Sequence, residues 1–527
     1  MPVERMKTMA GLYVFTRQYQ TETGAAVHLA LENAAGAAPL NHGFGVLFPR
    51  ADFETDTFVG KSVGLRLPYV IKAPAGGYLL LALPCCFEKG KAVAGDRAHG
   101  IIWFETADFC GYEEKGFAPL APAGTVLEDV RAARAGEAVL LYALYGGGWH
   151  CFETKDMQRF VPVAPGDIPL RHSIGCADAA PACRVEIDEE LAEKLVRLFT
   201  APALPGDAVR FPFPLMEERG DPMAIRWKEG YLFAATDDEQ GQRKLKLRWA
   251  RTLKEIPAAK DHVIFHSPQT GDYSGCLWAP ELHVVDGRLC LFFAAGMPHW
   301  YTVQSRVMWL EGEDPLRPEC WSRPRRMETP SGDWLTHTGI TLDMTVVPTK
   351  LGSYVIWSQR VIETEPALRC GTADLMIARL NTKAPWKLET EPVLLSRPEY
   401  GWERIHSEVL EGPFLLRRGE MLHVTYAAAL IDHTYAVGML SIRDGEDPLQ
   451  PGNWRKCPWP LVHRLSMPDQ IGAGHNAFVK DEKGNDVLLI HALSKENYLH
   501  DPTDGRRYPC FRQVVWDEDD FPHLDAR

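Results

Sequence analysis

The sequence predicts an all-β protein with a five-bladed β-propeller in its second half and an additional β-rich domain at its N-terminus. Three observations support this prediction: a hairpin pattern that recurs at a nearly constant interval, strand patterns throughout the first 200 residues, and a proline-rich boundary between them. At 527 residues the chain exceeds the usual size of one domain, so two units with separate cores are expected.

Residues 1–200 are predicted to form the accessory β-rich domain. Alternating apolar runs predict strands, and the hairpin after Pro68 resembles the repeat of the second half, although Leu67 takes the place of an acid at its start. This region is either a degenerate propeller fragment or a β-sandwich, and the pattern leaves both alternatives open. Asp188 is a suitable N-cap for one amphipathic helix, which has apolar residues at 191, 195, 198 and 199.

Residues 201–214 are predicted to be a linker, because this segment is rich in proline and follows the predicted helix. The catalytic domain is then expected to span residues 215–527. This division gives each part enough residues to bury a core of its own.

Five segments of the second half share one plan, in which a polar residue precedes an apolar strand, a glycine-containing turn and a second strand. Each segment predicts a β-hairpin. Their leading residues are 60 to 68 positions apart, which is room for four strands, so each unit is predicted to be a propeller blade and five blades to close a ring. The leading residues are Asp221, Glu281, Asp343, Glu411 and His475.

Three of these residues, Asp221, Asp343 and Glu411, are predicted to meet at one mouth of the central channel. Hydrolysis of a glycosidic bond needs one carboxylic acid to protonate the leaving oxygen and one carboxylate to activate water or to attack. Repulsion and burial in such a cluster raise the pKa of at least one member, which keeps an acid protonated near neutral pH. The three acids are therefore the candidate catalytic residues.

The alternative is that these acids cap strands or pair with arginines such as Arg219 and Arg404. Three acids in register at the blade starts favour catalysis over that alternative. Glu281 is expected to be structural, in a tight turn where its carboxylate bonds backbone amides. Trp278 is expected to stack on a sugar ring at the channel mouth, with packing between blades as the alternative.

Charge and cysteine content limit the partners. The formal net charge of −13 without a basic stripe argues against nucleic acid, and no apolar run approaches the roughly 18 residues of a membrane span. The twelve cysteines form no C-x-x-C motif, which favours reduced thiols. The charge favours a neutral or small ligand. Met1–Phe15 has three charged residues and no apolar core before a cleavage site, so we expect a cytoplasmic protein.

Several stretches of the second half form a recognisable set: the run from Trp278 to Gly296, the pair Leu342-Asp343, Glu411-Gly-Pro413, the run from Tyr435 to Leu440, and Gly474-His-Asn476. Taken together they resemble glycoside hydrolase family 43, particularly its arabinofuranosidase and xylosidase members, over about residues 211–522.

The resemblance implies five-bladed propellers that hydrolyse with inversion. It assigns Asp221 as the base, Asp343 as the residue that tunes pKa and orients, and Glu411 as the acid. An inverting enzyme holds base and acid about 6.5–9.5 Å apart, which leaves room for a water molecule.

The same resemblance implies that no cofactor is required. His475 matches a histidine that in many members lies near an axial calcium ion or its waters, so His475 is a candidate substrate-binding residue and a candidate neighbour of structural calcium. The chain has no histidine and cysteine spacing typical of zinc. The first 200 residues have no counterpart in the ordinary domain of the family.

These patterns predict an inverting, exo-acting hydrolase that removes a terminal pentose from plant-type oligosaccharides. α-L-Arabinofuranose is the first expectation and β-D-xylose the second. Two alternatives stay open at this point, a galactose-type glycosidase of the same family and a carbohydrate-binding propeller without catalysis, because loops between blades set the pocket shape.

Overall fold

The structure is a computed structural model of the chain, and it confirms the all-β class. Besides the strands, the described residues form two α-helices and several short 3-10 helices, and none of these helices is long and apolar enough to cross a membrane. The structure describes residues 9–18, 21, 23–34, 36–51, 62–88, 91–217 and 219–527.

The chain divides into two compact units. The first comprises Met1–Ala201 together with Glu399–Trp402, and the second comprises Pro202–Pro398 and Glu403–Arg527. In this division the residues of the predicted linker, apart from Ala201, group with the second unit.

The first unit contains thirteen described strands in three antiparallel sheets, with the orders β13-β1-β2-β3, β4-β5-β7-β8 and β12-β11-β10-β9, and β6 pairs with β5. Its elements are β1 (Met9–Phe15), β2 (His28–Asn33), β3 (Gly36–Pro39), β4 (Val63–Lys72), β5 (Tyr78–Glu88), β6 (Lys91–Val93), β7 (Gly100–Thr106), β8 (Glu113–Pro119), β9 (Asp129–Ala135), β10 (Ala138–Tyr145), β11 (Gly148–Thr154), β12 (Val161–Val163), β13 (Cys183–Asp188) and α1 (Glu189–Phe199).

Helix α1 begins where the sequence predicts. Asp188 has extended backbone and its carboxylate accepts a hydrogen bond from the amide of Leu191 at 2.9 Å, which satisfies one of the free donors of the first turn. The helix buries Ala192, Leu195 and Phe199 and contacts β1 and β13. Burial of each large apolar side chain contributes about 1.5–3 kcal/mol.

The hairpin of β4 and β5 has a bulge at Leu67, whose φ of 45° is left-handed. The guanidinium of Arg171 donates to the carbonyl of Leu67, to that of Pro68 and to that of Val130, each at 2.9 Å, and pairs with Asp129 at 2.8 Å. Arg171, paired with Asp129, therefore satisfies two backbone carbonyls at this bulge.

The second unit contains five consecutive antiparallel sheets, four with four strands and the fifth with three, each ordered as in the sequence. Its elements are β14 (Arg219–Trp227), β15 (Gly230–Asp237), β16 (Lys244–Ala250), β17 (His262–His266), β18 (Gly275–Val285), β19 (Arg288–Gly296), β20 (Gln304–Trp309), β21 (Arg325–Arg326), β22 (Ile340–Thr349), β23 (Gly352–Glu363), β24 (Arg369–Arg379), β25 (Val393–Ser396), β26 (Leu410–Arg418), β27 (Met421–Ala428), β28 (Ala436–Arg443), β29 (Arg455–Lys456), β30 (Gln470–Lys480), β31 (Asp486–Ser494), α2 (Lys495–His500), β32 (Tyr508–Gln513), β33 (Val515–Trp516) and β34 (Pro522–His523).

The first strands of the five sheets contact one another in sequence order. Strand β14 contacts β18, β18 contacts β22, β22 contacts β26, β26 contacts β30, and β30 contacts β14 again. The five predicted hairpins are therefore present, and their first strands form a closed cycle of contacts.

Each of these first strands contains a β-bulge at which one residue has a left-handed backbone, with φ between 45° and 55°. The prediction that the five leading polar residues are equivalent is wrong in two sheets. Glu281 lies two positions beyond the bulge residue of its strand, and Glu411 lies one position before its own. A bulge inserts one residue that a count along the sequence does not detect. The bulge residues are Asp221, Ala279, Asp343, Gly412 and His475.

Candidate active site

A single pocket of about 650 Å³ in the second unit brings together all of the sequence-predicted site residues. The three candidate acids come from three different first strands, and Trp278 and His475 come from the other two. Among the lining side chains that the sequence did not single out are Arg360, Trp300 and Arg507. The five-sheet arrangement therefore concentrates residues that are more than 250 positions apart.

Asp221 is buried and is hydrogen-bonded through both of its carboxylate oxygens. Its carboxylate accepts from the Thr236 hydroxyl at 2.5 Å and from Arg507 Nη1 at 2.7 Å, while its backbone amide donates to His491 Nδ1 at 3.1 Å. Burial alone would raise the pKa of Asp221, but Arg507, His475 and His491 outweigh burial and hold this pKa well below its usual value. Asp221 is therefore a carboxylate at neutral pH.

Glu411 has the opposite electrostatic environment. Its burial and the charge of Asp221 raise the pKa of Glu411 to about 7, although a hydrogen bond from the Tyr435 hydroxyl at 2.6 Å acts in the other direction. At neutral pH a substantial fraction of Glu411 therefore carries a proton, as a general acid requires.

Asp343 resembles Glu411 rather than Asp221 in its electrostatic environment. Burial, followed by the charges of Glu411 and Asp221, raises the pKa of Asp343 well above its usual value, and the amide of Gly412 donates to its carboxylate at 3.0 Å. Because Asp343 and Glu411 titrate as a pair, they retain a proton together at neutral pH. The bond to Gly412 also ties Asp343 to the residue that follows the candidate acid.

His475 faces two of the acids, with Nδ1 at 3.3 Å from Asp221 and at 3.9 Å from Asp343. Burial lowers the pKa of His475 to about 4, and His491 and Arg507 contribute in the same direction. His475 is therefore neutral at pH 7 and available as a hydrogen-bonding group in the pocket.

The fit of an axial calcium ion at His475 is limited. Calcium takes six to eight oxygen ligands, whereas the described part of the chain has no group of three or more histidine, cysteine or acidic side chains placed to hold a metal. An ion beside His475 would take nearly all its ligands from water. The calcium site is therefore not supported by the side chains present.

Trp278 packs against apolar neighbours and also lines the pocket, and its stacking on a sugar ring stays a prediction. Its ring is half-buried, packs beside the apolar cluster of Ala294, Val303 and Ile340, and also lines the pocket. Its indole Nε1 donates to Gln242 Oε1, which fixes the ring orientation. Trp278 is therefore a rigid aromatic wall of the pocket.

Glu281 lies outside the pocket lining. It is buried and its Oε2 lies 2.8 Å from His283 Nε2, so the expectation that its carboxylate bonds backbone amides in a turn is wrong. Arg219, offered as an alternative partner of the candidate acids, instead pairs with Asp237, Glu239 and Asp261.

The residue before each bulge explains how the pocket is built. In two sheets this residue is glycine, and an added Cβ would collide with the guanidinium of Arg507 at Gly220 and with the ring of Tyr435 at Gly474. These glycines therefore make room for the two side chains that bond Asp221 and Glu411. In the other three sheets the pre-bulge residue lines the pocket itself, as Trp278, Leu342 and Glu411.

Sequence reasoning missed several residues of this site, among them four that bond or electrostatically influence the candidate acids. His491 left a weak signal, because a histidine interrupts the apolar strand β31, and Tyr435 lies in one of the stretches that carry the family resemblance. Arg507 and Arg360 left none, since Arg507 follows a loop and Arg360 lies near the end of a long strand. Their role arises only from the packing of distant sheets.

Comparison with known proteins identifies the family to which this pocket belongs. A family model described as glycosyl hydrolases family 43 matches residues 212–522, which is more than half of the chain and includes every residue of the pocket lining. The chain belongs to glycoside hydrolase family 43. Membership of family 43 makes it a glycoside hydrolase that acts on oligosaccharides, and the family resemblance seen in the sequence is confirmed.

Individual relatives agree with the family assignment. The extracellular exo-α-(1→5)-L-arabinofuranosidase of Streptomyces chartreusis is 34% identical over 293 residues, which are 55% of this chain and 84% of that protein. α-L-Arabinofuranosidase 43 of Humicola insolens is 30% identical over 318 residues, which are 60% of this chain and 63% of that protein.

A solved structure shows the same fold. The α-L-arabinofuranosidase from Lactobacillus brevis is 30% identical and superimposes with a TM-score of 0.52, covering 60% of this chain and 96% of that chain. The family 43 likeness therefore accounts for the part of the chain that holds the pocket.

Proposed function

We propose that this glycoside hydrolase is an exo-acting α-L-arabinofuranosidase that hydrolyses with inversion, with Asp221 as base, Asp343 as modulator and Glu411 as acid. The observation that carries the proposal is the opposite electrostatic environment of Asp221 and Glu411 within one pocket. The choice of arabinofuranose rests on the relatives, whose names state that activity.

In the proposed reaction, the Asp221 carboxylate removes a proton from a water molecule while the water oxygen forms a bond to the anomeric carbon. The bond from that carbon to the leaving oxygen breaks, and Glu411 gives its proton to this oxygen. Asp221 then loses its proton to solvent and Glu411 regains one. Asp343 orients Glu411 through its bond to the amide of Gly412, and it shares a proton with Glu411.

We also propose that the five sheets of the second unit are the blades of a five-bladed propeller with the pocket on its axis. The closed cycle of contacts among β14, β18, β22, β26 and β30 supports this arrangement. The equivalent bulges in the five strands support it as well, because each places its residue at a corresponding position in its blade.

For the first unit, we propose an accessory role without a second active site, and a degenerate propeller fragment rather than a sandwich. Its three separate sheets and the bulge at Leu67 support the fragment, since that bulge has the same left-handed φ as those of the second unit. Leu67 carries no carboxylate, and the guanidinium of Arg171, which pairs with Asp129, donates to its backbone carbonyl.

We keep a cytoplasmic location as part of the proposal, which would favour short imported oligosaccharides as substrates. The relative from Streptomyces chartreusis carries the word extracellular in its name, and that description applies to that protein. Fractionation of the native host, followed by detection of the protein in culture medium or cytosol, decides between the two locations.

The first experiment measures release of nitrophenol from a panel of aryl glycosides led by the α-L-arabinofuranoside and the β-D-xyloside. Asp221→Asn is expected to reduce kcat by at least about 10³-fold on the preferred glycoside, because it removes the base. Glu411→Gln is expected to lose much less kcat on nitrophenyl glycosides than on an arabino-oligosaccharide. Nitrophenolate is a good leaving group and departs without a proton from the acid. Nuclear magnetic resonance of the first product is expected to show the β-anomer.

Asp261→Asn is the matched control, since Asp261 pairs with Arg219 and Arg248 in the same sheet as Asp221 but lies outside the pocket. Its kcat is expected to stay within about twofold of wild type. Activity that survives Asp221→Asn would refute the assignment of the base, and a first product of retained configuration would refute inversion. A wild type that binds sugars but hydrolyses no glycoside of the panel would favour a binding protein.

A further inference from the structure

One carboxylate beside the pocket, that of Asp238, has all of its acceptor sites in use. Its Oδ1 accepts from Arg507 Nη2 at 2.6 Å and from Gln242 Nε2 at 3.0 Å, and its Oδ2 accepts from Arg507 Nε and from the amide of Gly220, both at 3.0 Å. A carboxylate offers about four lone-pair sites. Asp238 therefore has no acceptor left for a sugar hydroxyl, although it lies in the pocket lining.

The two bonds between Asp238 and Arg507 fix the position of the guanidinium. Asp238 holds the guanidinium in bidentate geometry, the strongest arrangement for this pair, and so directs Nη1 at Asp221. The guanidinium packs across Gly220, where a larger residue would collide with it. Arg507 lines the pocket, and three of its five N–H donors bond Asp221 and Asp238 within the described part of the chain.

The bond from Gln242 connects the same carboxylate to Trp278. Gln242 donates to Asp238 and accepts from the indole of Trp278, so the chain of hydrogen bonds runs from an aromatic ring to a carboxylate to an arginine. Gln242 has a left-handed φ of 57°, a conformation that costs roughly 1–3 kcal/mol for a residue other than glycine. Its carbonyl also accepts from the amide of Leu277, next to Trp278.

We propose that Asp238 is a positioning residue that fixes two walls of the pocket at once, the cationic wall through Arg507 and the aromatic wall through Gln242 and Trp278. This inference rests on the proposed function, because the two walls are those that receive the sugar. Asp238 acts through its partners and does not touch the substrate. Its loss therefore affects both the chemical step and the binding of the sugar, whereas the loss of Gln242 affects binding.

The test is a double-mutant cycle on the full-length enzyme with the preferred nitrophenyl glycoside. Asp238→Asn is expected to lower kcat by about 10–100-fold and to raise KM, since displacement of about 1 Å at the reacting groups costs up to about 10²-fold. Gln242→Ala is expected to raise KM by about 2–10-fold with kcat within about twofold, in line with one aromatic contact. The double variant is expected to raise KM no further than Asp238→Asn does alone.

Asp261→Asn again serves as the control for loss of an ion pair in this sheet. If Asp238→Asn fails to fold, Asp238→Glu, which keeps the charge but moves it, takes its place in the comparison. Asp238 variants with kcat and KM within about twofold of wild type would overturn the proposal, as would equal losses in Asp261→Asn. So would additive effects of Asp238→Asn and Gln242→Ala on KM.

The same assay separates this inference from the proposed function. If wild type prefers another glycoside, the sugar assignment fails and the cycle is judged on that glycoside. If wild type hydrolyses none, calorimetry with L-arabinose compares the same variants, and weaker binding in Asp238→Asn than in Asp261→Asn supports the positioning role. A wild type that neither hydrolyses nor binds overturns both.

Discussion

Two carboxylates of one pocket differ in charge because of their hydrogen-bonding partners. Asp221 faces the guanidinium of Arg507 at 2.7 Å, which stabilises its charged form, whereas Glu411 faces a neutral phenol and the negative charge of Asp221. The two carboxylates therefore have separated pKa values, which suits Asp221 to act as the base and Glu411 as the acid.

The Tyr435→Phe variant tests this electrostatic difference through the pH profile of kcat/KM. Glu411 works as the protonated form, so activity is expected to fall as the pH rises through its pKa of about 7. The Tyr435 hydroxyl stabilises the charged form, so its removal raises the pKa of Glu411 and moves this limb to higher pH, by about one unit for a bond to a charged group. Tyr354→Phe, a buried tyrosine outside the pocket, is the control.

The acidic limb of that profile is expected to stay in place, because it belongs to Asp221, whose pKa lies well below the usual value. Activity is lost there as the pH falls through the pKa of Asp221. A basic limb that does not move in Tyr435→Phe, or that moves to lower pH, would contradict the role given to this hydroxyl.

At this scale the sequence predicted the acids but not their partners. Asp221, Asp343 and Glu411 stand near the starts of similar hairpins, and this regularity is visible in one dimension. Arg507 reaches Asp221 from 286 positions away, out of a loop with no periodicity, so no local pattern indicates it. Ion pairs between sheets depend on how the sheets pack, and no pattern in the sequence indicates which residues pair.

At the scale of the element, the bulge in each first strand decides which way a side chain points. Four of the five bulge residues are not glycine, and each left-handed residue costs roughly 1–3 kcal/mol that the surrounding structure must offset. The sequence predicted the hairpins because alternation and turn residues are local signals. It did not predict the bulges, which is why Glu281 and Glu411 were assigned to the wrong positions in their strands.

The Gly474→Ala variant tests the pre-bulge position. A methyl group there collides with the ring of buried Tyr435, so we expect a loss of about 1–3 kcal/mol in the free energy of unfolding, as for overpacking, and at least a tenfold loss in kcat/KM as Tyr435 shifts from Glu411. Chemical denaturation and steady-state kinetics measure the two effects. Gly452→Ala, where an added Cβ meets no atom within 4 Å, is the matched control.

Equal behaviour of these two alanine variants would show that the pre-bulge glycine is not kept small for Tyr435. A loss of stability without a loss of kcat/KM would show that the ring shifts without disturbing Glu411.

At the scale of the whole second unit, the first residues cover the last sheet. The fifth sheet has three strands, and its edge strand β32 receives a hydrogen bond from the amide of Leu215 to the carbonyl of Pro509 at 3.1 Å. The rings of Phe211 and Phe511 meet edge to face at 5.5 Å. An uncovered edge strand invites pairing with another chain, so this segment protects the edge and links the two ends of the unit.

The last residues of the chain strengthen the same link. The amide of Arg527 donates to the carbonyl of Pro202 at 3.0 Å, and the amide of Leu204 donates to the carbonyl of Arg527 at 2.6 Å. The sequence predicted residues 201–214 to be a linker because of their prolines. In the structure, Leu204 and Phe211 within this range make tertiary contacts, which composition alone does not reveal.

Phe211→Ala therefore tests whether closure of the ring stabilises the second unit. Phe211 is half-buried, so the free energy of unfolding is expected to fall by about 2 kcal/mol, less than the 3–5 kcal/mol typical of a fully buried phenylalanine. Leu499→Ala, at a side chain that is 72% exposed, is the control with no expected change.

Denaturation measures the change in stability, and hydrogen exchange at the amides of β14 and β32 distinguishes two outcomes. If the segment closes the ring, protection falls in both strands together, because opening one end exposes the other. Loss of protection confined to residues 211–215 would mean that the segment covers an edge without joining the ends.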